Sequence, residues 1–369
     1  MSNFNVGSRI EQLRMCMQEQ KVDAFLALRS LSVQYLTGFD DIADASDPHA
    51  VLVTADTLRF MTDGRYIDVV QGQAKGSDWT VDSFSGTTLA ASLIRTWDIA
   101  NVGIVALEDT VSYRQFSTIA NSATIVPAKK WIENIRKVKD EAELERIAVA
   151  AAINDEAFPY ICEYIRPGLC EAEVALELEI TLRRLGADGC AFPAIAAAGP
   201  NASFPHAVPG ERTIQAGDLV KLDFGASYKG YASDMTRTVF LSGGGTVCPN
   251  NQQQLVYETV RKAQEAGLAA IKAGVTGSEV DAAARTIIEQ ADFGKYFTHG
   301  LGHGVGMQVH ELPGVSMHSK APLPENSVIT CEPGIYIPNE LGVRIEDLVI
   351  VQQNGYKNLT SSPKELLIV

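Results

Sequence analysis

The sequence predicts an α+β protein in two parts, a smaller α/β unit followed by a larger unit built from two similar halves. Three observations predict it. Apolar segments in residues 1–127 alternate between helical and strand periods. RPGLCEAEVALELEITLRRLGADG, from Arg166, resembles KAGVTGSEVDAAARTIIEQADFG, from Lys272, with Gly168 matching Gly274 and Glu173 matching Glu279 at a shift of 106. Each of these helical stretches leads through a histidine-containing segment to a pair of strands, so that Asp223-Phe224-Gly225 parallels Glu332-Pro333-Gly334. A duplicated unit of this kind places a site naturally between its halves.

Taken in order, Ser8–Gln20 reads as an amphipathic helix and Asp23–Leu28 as a strand. Ala50–Thr54 and Leu58–Thr62 read as a hairpin around Ala55-Asp56, and the alternation continues to Ile125-Val126. Pro127 then breaks the pattern. The expected organisation is an amino-terminal domain over 1–127, a linker over 128–138 and a second, larger domain over 139–369. A long charged helix opens the last part near Lys139, with Leu144, Ile147, Ala148 and Ala151 on one stripe.

A length of 369 residues suits two domains, and 46% hydrophobic with 21% charged residues excludes a disordered or fibrous chain. The net charge of −14 argues against a nucleic-acid or anionic-membrane partner. The longest stretch without Asp, Glu, Lys or Arg, Gly189 to Gly210, contains four prolines and is no membrane helix. Six scattered cysteines without a CxxC pair, and no apolar leader, suggest the reducing cytoplasm.

Six histidines occur, and three of them lie in THGLGHGVGMQVHE: His299, His303 and His310. Interleaved glycines disfavour a helix by roughly 1 kcal/mol each, so His299 and His303 do not form a helical zinc pair. HExxH, GxGxxG and GxxxxGK motifs are absent. His49 and His318 read as ordinary core or surface residues. Asp223, Asp234, Glu332 and Glu346 lie in or beside apolar strands, where a carboxylate is costly unless it is paired or holds a cation. Four such acids and a histidine from the glycine-rich segment favour an oxygen-rich site for Mn²⁺ or a similar ion. Two ions sharing carboxylates, about 3.5–4 Å apart, would use the whole set.

In this order FPHA (Phe204–Ala207), LDFGASYKGYASDMTRTV, THGLGHGVGMQVHELP, EPGIYIP and GVRIEDLV resemble the motifs of the pita-bread metallopeptidases. That superfamily includes methionine aminopeptidase, aminopeptidase P, prolidase and creatinase. SVQYLTGF and TDGRYID resemble the creatinase-like amino-terminal domain of its proline-specific branch. The resemblance implies a pita-bread catalytic domain in which Asp223, Asp234, His303, Glu332 and Glu346 hold two divalent ions, Mn²⁺ first, with Co²⁺ or Zn²⁺ as alternatives. It implies that His206 and His310 contact substrate and stabilise the tetrahedral intermediate, and that Glu332 also shuttles a proton. His299 and Arg344 then line the substrate site, and i, i+2 spacing places Arg344 to pair with Glu346. The implied activity is release of the first residue from short peptides with proline second. The alternative is an Xaa-Pro dipeptidase; a creatinase-like amidinohydrolase and a non-catalytic peptide-binding module are more remote. Relatives of this kind also imply a homodimer.

Overall fold

In the computed structural model, which describes residues 4–40, 42, 48–245 and 247–369, the chain divides into two units between Arg136 and Lys137. The first contains, in order, α1 (Val6–Gln20), β1 (Ala24–Ala27), α2 (Ser30–Thr37), β2 (Ala50–Thr54), β3 (Leu58–Asp63), α3 (Ile67–Gln73) and β4 (Trp79–Phe84). After these come α4 (Leu89–Thr96), β5 (Ile104–Glu108), α5 (Tyr113–Ala120), β6 (Thr124–Ala128) and α6 (Trp131–Arg136). Its sheet has the order β4-β3-β2-β1-β5-β6, and β2 and β3 form the expected antiparallel hairpin, with Ala50 opposite Met61. Leu26, Leu52, Met61, Leu93, Trp97 and Ile119 fill one face. Each such buried side chain contributes roughly 1.5–3 kcal/mol.

Two features of this unit differ from the sequence reading. Strand β6 continues through Pro127 to Ala128, because β6 is the edge strand and an edge tolerates a missing N–H. Residues 131–136, read as linker, are helical. Ile132 and Ile135 are buried, and the Trp131 ring stacks on Phe25 with centroids 5.9 Å apart. A single helical turn and a half is too short to show a period in sequence.

The second unit repeats one order of elements. Its first half comprises α7 (Glu141–Tyr164), α8 (Glu171–Arg184), β7 (Gly189–Cys190), β8 (Ile195–Ala198), β9 (Leu219–Phe224), β10 (Ala226–Tyr228), β11 (Tyr231–Ala232) and β12 (Met235–Phe240). The other half comprises α9 (Asn251–Ala270), α10 (Gly277–Gln290), β13 (Gly302–Gly304), β14 (Glu311–Val315), β15 (Val328–Cys331), β16 (Gly334–Ile337), β17 (Leu341–Arg344), β18 (Asp347–Gln352) and β19 (Gly355–Asn358). Strands β8, β9 and β12 are neighbours in one sheet, as β13, β15 and β18 are in another. The hairpin β10–β11 corresponds to β16–β17.

The helices show why the repeat is visible in sequence. Both ends of α8 and α10 differ by 106, as do the last residues of α7 and α9. Glu173 and Glu279 occupy the third helical position, where each side chain accepts the N–H of its N-cap, Cys170 (2.7 Å) or Thr276 (2.8 Å). Gly168 and Gly274 have φ of +100° and +87°, a region that suits glycine. The matched residues are those that start a helix. Each half also has an apolar core, around Leu178, Leu182 and Leu222 in one and Val280, Ile288 and Ile329 in the other.

Candidate metal centre

Strand pairing brings the acids together. In the antiparallel pair β9–β12, Asp223 stands opposite Thr236, and Asp234 immediately precedes β12. In β15–β18, Cys331 pairs with Asp347, so Glu332 and Glu346 leave the same end of the ladder. Short strand β13 carries His303 between two glycines whose absence of a side chain is required. A Cβ on Gly302 would lie 2.2 Å from the Thr330 carbonyl oxygen, and one on Gly304 would lie 2.3 Å from that of Leu312. The glycine-rich segment therefore exists to let strands approach on both sides of His303.

All nine residues singled out in the sequence line one cavity of about 430 Å³ in the second unit: His206, Asp223, Asp234, His299, His303, His310, Glu332, Arg344 and Glu346. Phe192, Pro193, Ile195, Val208 and Val309 supply apolar wall. Ligand atoms of Asp234, His303 and Glu346 lie within 4.8 Å of one another. His303 Nε2 is 3.1 Å from Glu332 Oε1 and 3.7 Å from Asp234 Oδ2. Thr330 Oγ1 accepts the His303 N–H (3.1 Å) and donates to Glu332 Oε1 (3.0 Å). Thr236 Oγ1 donates to Glu346 Oε2 (2.7 Å) and accepts from Arg344 Nε (3.0 Å).

The charges are unbalanced. Burial, together with Glu346, Asp223 and Glu332, pushes the Asp234 carboxyl well above its ordinary range. Burial, then Glu332 and Asp223, does the same to Glu346. Glu332 moves the other way: burial raises it, but His303 and Arg344 outweigh burial and hold it at about 2. Burial lowers His303, yet its bond to Glu332 wins and raises it. Glu346 Oε1 is buried with no hydrogen-bond partner, a condition that costs about 1–3 kcal/mol. An unpartnered carboxylate oxygen among clustered buried acids, beside an imidazole, belongs to a donor set suited to a divalent cation.

Arg344 differs from its expected role. Its guanidinium does not pair directly with Glu346. It donates to Asp223, to Tyr336 OH (2.9 Å), to the Pro205 carbonyl (3.2 Å) and to Thr236, which relays to Glu346. Arg344 ends β17 and Glu346 precedes β18, in another sheet, so the i, i+2 rule for one strand does not apply. His299 is likewise committed to protein. Its Nδ1 donates to the Gly300 carbonyl (2.7 Å), leaving Nε2 to accept from Tyr336 OH (2.9 Å). Both side chains thus line the cavity while bonded to protein.

His206 and His310 are exposed, and among the described residues no protein hydrogen bond holds either ring. The His310 ring centroid is 4.3 Å from that of His303; burial, and then His303, lower its pKa. His49 is a buried core residue bonded to Thr62 (2.9 Å), and His318 is exposed. Sequence reasoning missed Thr236, Thr330 and Tyr336, whose hydroxyls organise the acids. The available signal was a Thr two positions from each of Asp234 and Glu332.

Comparison with known proteins extends this reading. Residues 145–353 match the model of metallopeptidase family M24, and residues 9–138 match the Creatinase/Prolidase N-terminal domain. An Xaa-Pro dipeptidase of Pyrococcus furiosus is 34% identical, covering 97% of this chain and 99% of the relative. The structure of an Xaa-Pro dipeptidase from Bacillus anthracis has a TM-score of 0.91 at 36% identity, covering 99% of this chain and 100% of that one. That of an X-Pro aminopeptidase from Thermotoga maritima has a TM-score of 0.85 at 35% identity, covering 95% and 98%. The chain therefore belongs to metallopeptidase family M24, in its pita-bread, proline-specific branch.

Proposed function

We propose that the chain is an Xaa-Pro dipeptidase whose two divalent ions, Mn²⁺ first, are held by Asp223, Asp234, His303, Glu332 and Glu346. The observation that carries the metal site is the Asp234–His303–Glu346 cluster with its unpartnered Glu346 oxygen. Ions held there supply Lewis acidity and bring the pKa of water towards 7. Glu332 takes the proton from the attacking water and returns it to the leaving nitrogen. His206 and His310, whose rings carry no hydrogen bond among the described residues, donate to the carbonyl oxygen as it gains charge.

The choice of dipeptides departs from the aminopeptidase expected from sequence. It rests on likeness to proteins named Xaa-Pro dipeptidase. One observation favours the aminopeptidase as a second reading. Among the described cavity residues Arg344 is the sole Lys or Arg, and its guanidinium is taken, so a free carboxylate finds no uncommitted partner there. The assay that decides uses Mn²⁺-loaded enzyme with matched Xaa-Pro, Xaa-Pro-Yaa and Xaa-Ala-Yaa peptides. Cleavage confined to Xaa-Pro supports the dipeptidase, and efficient cleavage of Xaa-Pro-Yaa supports the aminopeptidase. Equal cleavage of Xaa-Ala-Yaa contradicts proline preference, and no cleavage with metal bound contradicts an enzyme altogether. Six free cysteines suit a cytoplasmic setting, and no described helix is long and apolar enough to cross a membrane. Sedimentation tests the expected homodimer.

A further inference from the structure

Strand β9 carries Lys221 with no exposure at all, an uncommon place for a lysine. Burying an ammonium group is costly unless hydrogen bonds compensate it, so this site needs a reason. Its surroundings supply one. Nζ donates to the carbonyl oxygens of Ala202 (3.3 Å), Phe204 (2.6 Å) and Pro205 (3.1 Å) and lies 5.2 Å over the Tyr336 ring. Three acceptors match the three hydrogens of an ammonium group. The turn 204–206 follows β8 and belongs to no strand ladder, yet it presents exposed His206 to the cavity. A second buried cation, Arg344, also bonds the Pro205 carbonyl (3.2 Å). Lys221 and Asp223 stand two apart on one strand and so share a face. One strand thus fixes both a metal-site acid and the turn that bears His206.

We propose that Lys221 is a positioning residue which, by gathering three carbonyl oxygens of residues 202–205, holds His206 at the distance from the metal centre that catalysis needs. The inference rests on the reading of His206 as the group that donates to the substrate oxygen. Its test is a double-mutant cycle of Lys221→Met and His206→Ala in the Mn²⁺-loaded enzyme, with elemental analysis and thermal melts. Lys221→Met should keep wild-type metal content and lower kcat about 10–100-fold with little change in KM, the range for loss of a supporting contact. In the His206→Ala background the same substitution should cost under about threefold, because the group it positions is gone. An equal cost in both backgrounds, a change in KM alone, or loss of metal overturns the proposal. If Lys221→Met does not fold, Lys221→Gln, which keeps two donors, enters the same cycle. Failure of both to fold overturns the proposal in favour of a purely structural lysine. Full activity of His206→Ala overturns the reading of His206 and this inference with it, an outcome distinct from an additive cycle.

Discussion

The two halves of the second unit share a skeleton and divide the chemistry unequally. By the shift of 106 that relates α8 to α10, His303 corresponds to Ala197, a fully buried core residue of β8. By the acid-to-acid shift of 109, Lys221 corresponds to Thr330. One supports a turn through carbonyl oxygens; the other ties His303 to Glu332. The first half thus contributes Asp223, Asp234 and a supported loop, whereas the second contributes the imidazole, two glutamates and Arg344. Helix starts and strand order are tied to the backbone and survive in both halves. Side chains facing the cavity are free to diverge, and a site that needs unlike ligands arises from like halves.

Removing one acid from each half in turn should have the largest effect. Asp234→Asn and Glu346→Gln should each lose metal and about 10³-fold or more in kcat/KM, since several kcal/mol of charge stabilisation depend on the ions. Either variant keeping full metal and activity would show that one half suffices.

The support behind Glu346 comes next. Arg237 donates to Asp347 (2.8 Å) and to the Glu346 carbonyl, and Lys364 also bonds Asp347 (2.8 Å). Asp347→Asn should cost about 3 kcal/mol by leaving the buried Arg237 guanidinium under-compensated. Burial raises the Asp347 carboxyl, but Arg237 and Lys364 prevail and hold it below its ordinary value. A depressed folded pKa gives stability that is present above about pH 3.9 and is lost as pH falls through the lower folded value. The gap in melting temperature between wild type and variant should therefore narrow on acidification below about pH 4. A constant gap from neutral pH down to pH 3 contradicts this assignment.

Smaller effects probe the hydroxyl that binds the second half together. Thr330→Val removes the bonds to His303 and Glu332 and should weaken metal affinity about 10–100-fold, read by metal titration. Smallest of all, Glu173→Ala and Glu279→Ala each open one capping box. Both should lower the melting temperature slightly, to a similar extent and without loss of activity.

These cases show what could be read in the sequence. Glu173 and Glu279 were legible because a capping box acts over three residues, and the hairpin Ala50–Thr54 with Leu58–Asp63 because its strands are adjacent. Acids in apolar strands stood out because burial makes them costly. What escaped was contact at long separation. The bonds from Arg344 to Asp223 and to Pro205 span 121 and 139 residues, and nothing local marks them. Lys221 in LVKLDFG looks like any alternating strand residue until the turn above it is in place. Edge placement, which decides that Pro127 continues β6, is likewise a property of the whole sheet.

Acids from both halves and one histidine are proposed to hold catalytic divalent ions. Elemental analysis alongside peptidase activity, on one preparation before and after exhaustive chelation and again after Mn²⁺ is restored, tests it most directly. Two ions per chain are expected in the active enzyme, with activity that vanishes with them and recovers on reloading. Undiminished peptidase activity in protein shown by the same analysis to be metal-free would contradict it.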